Sequence, residues 1–149
     1  MKRFVFALEK VLELRKFHEQ EAKVELGRAI SVLTKIENNI KRNAVLRSQA
    51  TSERFLGIHT NENNDMPAGT VSMLAWDNYI LRLEQEAQRL EEEAASARVV
   101  VEEKRNLYLE ASRELKVMEK LKEKRQEEYK EEALAAETLE RDDAWRRKS

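Results

Sequence analysis

Between positions 73 and 118 an apolar residue recurs at alternating steps of three and four: Met73, Trp76, Ile80, Leu83, Ala87, Leu90, Ala94, Ala97 and Val101, then Tyr108, Ala111, Leu115 and Met118. Lys104 is the single interruption. A mean step of about 3.5 residues keeps one narrow stripe of an α-helix turned towards a partner helix in a left-handed supercoil. This segment reads as one long coiled-coil helix. A stripe so narrow and so rich in alanine cannot wrap a globular core, so the surface left for function is the outside of the coil.

The first half of the chain carries a second, less regular stripe: Phe4, Leu8 and Val11, then Arg15 and His18, then Ala22, Leu26, Ala29, Leu33, Ile36, Ile40 and Ala44. Followed in this way, positions 18, 22 and 26 are separated by two steps of four, which predicts a stutter and looser winding near the start of the first helix. Between the stripes, Gly57, Thr60, Asn61, Asn63, Asn64, Asp65, Pro67 and Gly69 cluster. These residues favour turn backbone, each for its own reason, and together they predict a loop. The reading is therefore helix over about 3–55, loop over 57–69 and helix over 70–145, with Asp65 or Thr70 as the second helix's N-cap, all in one domain of 149 residues.

If the loop reverses the chain, facing residue numbers sum to about 125, which sets Phe4 opposite Leu121. Beyond Met118 the same register places Lys122, Arg125 and Glu132 on the seam, as an unpaired helix tolerates. The two stripes agree in length, and that agreement favours an antiparallel two-helix hairpin over a parallel homodimer. The expected fold is all-α: a coiled-coil hairpin of roughly 80 Å with a C-terminal helical overhang of about 25 residues.

Composition narrows the function. The chain is 38% charged and 6% aromatic, with three Gly and one Pro, too few turn residues for several packed elements. Its formal net charge of −1, with acids and bases interleaved, argues against a nucleic-acid partner. Cysteine is absent, which removes disulfides and thiolate metal sites and is compatible with the cytoplasm. The apolar run after Arg3 is broken at Glu9 and Lys10, too soon for a signal-peptide core, and no stretch approaches the roughly 20 apolar residues of a membrane span. The sequence reads as that of a soluble, unexported protein.

No catalytic constellation is legible. His18 and His59 are the only histidines, and there is no glycine-rich phosphate loop and no HExxH or GxSxG spacing. Glu91, Glu92 and Glu93 read as a solvated helix face, and carboxylates outside a water-excluding cleft have no means of acquiring the shifted pKa values that acid–base chemistry needs. The expectation is a non-enzyme without cofactor, metal or catalytic residue. Lys104 reads as a register-setting defect and His18 as a partly wet seam residue. Trp76 and Tyr79, three apart, cannot both lie fully on a narrow seam, so the aromatic pair is expected to leave apolar surface beside the loop.

The opening Phe4-Val5-Phe6-Ala7-Leu8-Glu9-Lys10-Val11-Leu12-Glu13-Leu14-Arg15 resembles that of FliJ, a small coiled-coil protein of the flagellar type III export apparatus. So do Ala75-Trp76-Asp77-Asn78-Tyr79 with Leu83, and Glu119-Lys120-Leu121-Lys122-Glu123-Lys124-Arg125 followed by Tyr129 and Asp142-Asp143. The resemblance implies a cytoplasmic component, peripheral at the inner face of the cell membrane, that works with the hexameric flagellar export ATPase as a stalk-like coiled coil. It also implies contacts with the cytoplasmic domain of an export-gate membrane protein and with export substrate chaperones. On that reading the ATPase ring is held through Lys120, Lys122, Lys124 and Arg125, and the gate through Trp76, Tyr79 and Leu83. The corresponding stalk protein of a virulence secretion system and a prefoldin-like escort share the shape and differ in partner.

Overall fold

A computed structural model describes residues 3–60 and 68–148. The chain is all-α, two long helices packed against each other: α1 (Glu9–Thr60) and α2 (Ala68–Lys148). Most of the loop expected over 57–69, including the candidate cap Asp65, lies outside the described residues. α1 passes through Gly57, whose φ is not positive, so this glycine is not used as a left-handed helix stop. α2 starts at Ala68, which puts Thr70 inside the first turn and not at the cap.

Every position of the second stripe from Met73 to Met118, Lys104 included, is buried or half-buried, as its 3.5-residue repeat requires. On α1 the structure corrects the reading. From Leu8, just before α1, protected positions recur at Leu12, Arg15, Glu19, Ala22, Leu26, Ala29, Leu33, Ile36, Ile40, Asn43, Arg47, Ala50, Arg54 and Gly57, an unbroken alternation of four and three, with Glu9, Glu25 and Leu46 half-buried beside it. There is no stutter. Val11, His18 and Ala44, expected on the seam, are exposed, and their places are taken by Leu12, Glu19 and Asn43. The supercoil keeps its period and accepts polar residues where the period falls on them.

The chain divides into two compact units. The first joins Met1–Glu25 to Arg105–Ser149. Here Arg15 pairs with Glu114, and Lys122 Nζ lies 3.0 Å from a Glu9 carboxylate oxygen, so facing residue numbers sum to 129 and 131. Phe4 consequently meets Tyr129 (ring centroids 5.5 Å apart), not Leu121. The overhang is shorter than expected, because Tyr129 and Ala133 are still half-buried and full exposure begins at Leu134.

Residues 3–6 account for part of the difference, because they are not helical. Two residues apart on a helix lie on nearly opposite faces, whereas in an extended segment they share one. Phe4 and Phe6 both turn to α2 while Val5 between them is 80% exposed, an arrangement an extended segment permits and a helix forbids. Extended backbone also advances about 3.3 Å per residue against 1.5 Å in a helix, so the segment reaches further along α2. A turn at residues 7 and 8, where Glu9 N–H donates to the Phe6 carbonyl (3.2 Å), then leads into α1.

The second unit is Leu26–Lys104. Its apolar centre is Ala29, Ala50, Leu83, Leu90, Ala94 and Val101, all buried. Small residues here allow the two backbones to come close. Towards the loop the α1 side of the seam turns polar. Asn43, 3% exposed, donates from Nδ2 to the Leu83 carbonyl (3.0 Å), while its Oδ1 and Arg47 Nε are buried without hydrogen-bond partners. Arg54 Nε lies 2.6 Å from Asp77 Oδ1 but is misaligned for a hydrogen bond, so the contact is one of charge. An unpaired buried amide oxygen is costly, and Asn at a seam position fixes register at the expense of stability. Asn43→Leu should therefore raise unfolding free energy by about 1 kcal/mol, read as an upward shift in urea midpoint. A lower midpoint would mean that the bond to Leu83 outweighs the orphaned oxygen.

Candidate functional site

Two surfaces answer to the sequence-predicted residues, one in each unit. In the second unit, Trp76 is half-buried on the seam and Tyr79 is at its edge, their rings in edge contact at 6.0 Å and 69°. Such pairs gain from quadrupole geometry as well as area. Leu83 is not part of that surface: it is 5% exposed and its carbonyl is the acceptor for Asn43. Around the pair the sequence left Phe55 and Leu56 on α1 and Leu74 and Leu81 on α2 unremarked, and all four are exposed. The loop-side end of this unit is thus more apolar outside than its sequence stripe suggested. Further along α2, Arg89 lies between Glu86 (3.9 Å) and Glu93 (3.8 Å), a self-paired ladder worth a few tenths of a kcal/mol.

In the first unit the basic run sits on two faces of α2. Lys120 and Lys124 are exposed and point away from α1's seam. Lys122 is half-buried and engaged with Glu9, and Arg125 places its guanidinium carbon 5.9 Å from the centroid of the Phe6 ring. So the four basic residues are not equivalent: one pair is open to solvent, the other is held by the chain's own N-terminus. Phe4, Phe6, Glu9, Lys122 and Gln126 border a shallow groove of about 400 Å³. The sequence signal for this corner was available in Phe4-Val5-Phe6 with Glu9 three residues on, and in Lys122, Arg125 and Tyr129 at helical spacing. Helical patterning of the opening residues concealed it.

Beyond Ala133 every described residue is exposed, including Leu134, Leu139 and Trp145, the last at 72%. Arg146, Arg147 and Lys148 occupy the final turn, where positive charge complements the helix dipole. Among the described residues no group of three or more His, Cys, Asp or Glu is placed to hold a metal ion, and no helix is long and apolar enough to cross a membrane. His18 is exposed, 3.6 Å from Glu21 and stacked at a tilt on Phe17, an ordinary solvated pair.

A family model described as the flagellar FliJ protein matches residues 4–149. The chain belongs to the FliJ family. Compared with curated proteins and with solved structures, it gives no match to either. The family match begins at Phe4, the first residue laid on α2, and includes the exposed C-terminal segment. Membership in the FliJ family makes the chain a component of the flagellar export apparatus, a family of export components and not of known enzymes.

Proposed function

We propose that this FliJ-family protein is the stalk-like component that binds the hexameric flagellar export ATPase, promotes its assembly and activity, and links it to the cytoplasmic domain of the export gate and to substrate chaperones at the inner face of the membrane. The observation that carries the ring contact is the run Lys120 to Arg125, a dense basic segment of α2 in which Lys120 and Lys124 are exposed and which leads into the exposed residues 134–148. Charge contacts of this kind give orientation and rate without a fixed apolar seam, and so suit a partner whose subunits rearrange. Lys120 and Lys124 present their charge directly, while Lys122 and Arg125 do so from beneath the N-terminal segment. The gate contact is assigned to Trp76 and Tyr79 with the exposed apolar residues around them, and Leu83 supports that surface from the seam.

The test is a titration of ATPase rate against this protein at two salt concentrations. Lys120→Glu with Lys124→Glu leaves every contact named above intact, so helix content should be unchanged while half-maximal stimulation shifts to roughly tenfold higher concentration. Adding Lys122→Glu and Arg125→Glu should extend the loss. High salt should reproduce it in the native protein, because exposed charges are screened over a Debye length of about 8 Å at physiological ionic strength. Full stimulation by the folded four-residue variant would remove this segment from the ring contact.

A further inference from the structure

Three contacts of different chemistry hold residues 3–8 and the first residue of α1 on α2: the Phe4 ring on Tyr129, the Arg125 guanidinium over Phe6, and the Lys122 ammonium on Glu9. Together they read a short pattern in the N-terminal segment, an aromatic residue, any residue, a second aromatic residue, and a carboxylate three positions later. Val5, the residue between the aromatics, faces solvent and takes no part in that reading. The segment is neither a helix nor a strand, and the backbone hydrogen bond from Glu9 to Phe6 lies within the segment and its junction with α1. It can therefore leave α2 without unwinding either helix.

We infer that Lys122, Arg125 and Tyr129 form a peptide-docking site that the chain's own N-terminal strap occupies, and that an extended partner segment with two aromatic residues in alternation followed by a carboxylate competes for it. The seated strap supplies the ligand chemistry: flat rings for Tyr129 and Arg125, a negative charge for Lys122. Ion pairing and cation–π contact at such exposure are individually weak, and the burial of Phe6 adds the larger share, so the closed arrangement exceeds the open one by on the order of ten- to a hundredfold. A competing segment sees its affinity reduced by that factor, because only the open fraction can bind. The site stands whether or not the neighbouring lysines hold an ATPase.

The experiment uses the full chain and a fluorescent peptide copying residues 3–11. Phe4→Ala with Phe6→Ala vacates the site in the protein, and anisotropy titration should show this variant binding the peptide at least about tenfold more tightly than the native chain. Adding Arg125→Glu and Tyr129→Ala to that variant should abolish binding, as should replacing both phenylalanines in the peptide. Equal affinity of the native and vacated chains, with helix content matched by circular dichroism, overturns the inference. If the double variant loses helix, Glu9→Gln takes its place, since it removes the ion pair alone. A gain of a few-fold then supports a masked site, and no gain overturns it.

Discussion

Truncating Leu12 to Ala should lower unfolding free energy by about 3 kcal/mol and make the N-terminal part of α1 the first to melt. Among the described residues Leu12 is the most deeply buried large side chain, and the pairs Arg15 with Glu114 and Glu9 with Lys122 bracket it, setting it opposite Met118. In a two-helix seam few neighbours can move in to fill the vacated volume, because each layer has one residue from each helix and solvent on both flanks. The loss therefore combines the transfer free energy of the missing carbons with an unfilled gap. Chemical denaturation followed by far-ultraviolet dichroism reads the change, and amide exchange locates it. A loss below 1 kcal/mol would show that the layer collapses around the smaller residue. Val11→Ala beside it is the contrast: Val11 is exposed, and its truncation should change stability little.

Enlarging Ala94 to Leu should cost about 2 kcal/mol, although leucine is the better seam residue by composition alone. Ala94 is 0% exposed, and the register set by Asn43 on Leu83 brings it across from the stretch containing Ala29 and Leu33. Where alanines face each other the helix axes approach, and the three extra carbons of leucine cannot enter without spreading them. Spreading at this layer also strips contact from Leu90 and Val101 on either side. A denaturation midpoint that falls with an unchanged slope would mark overpacking in an otherwise intact fold. A rise in the midpoint would mean that the helices are not closely apposed here.

The α2 seam was legible because its apolar residues and its period coincide: from Met73 to Met118 one could follow either and reach the same positions. On α1 the two disagree. A stripe stepped through Val11, His18 and Ala44 needs a stutter, whereas the unbroken alternation of four and three runs through Leu12, Glu19 and Asn43, and the period wins because a supercoil cannot slip locally without breaking the layers above and below. The N-terminal strap was hidden for a different reason. Phe4, Leu8 and Val11 fit a helix by spacing, and what overrides that preference is tertiary, the aromatic and charged residues waiting on α2 at Lys122, Arg125 and Tyr129. The basic run was visible as composition, but its division into an open pair and an engaged pair depends on the strap. The aromatic pair was likewise visible, while Leu83 looked like its neighbour in sequence and belongs to the interior instead.

The narrowness of the seam bears on how the molecule comes apart. Within each unit, a layer of the seam touches the layers next to it and the residues facing it, so stabilisation accumulates in series. Heat or denaturant then releases stretches in order of their local strength: the exposed residues 134–148, where an isolated helix of that length is marginal in water, and the polar layers at Asn43, Arg47 and Arg54 ahead of the alanine-rich middle. Opening is expected to start at these weak points below the global transition, and amide exchange residue by residue reads the order in which they yield.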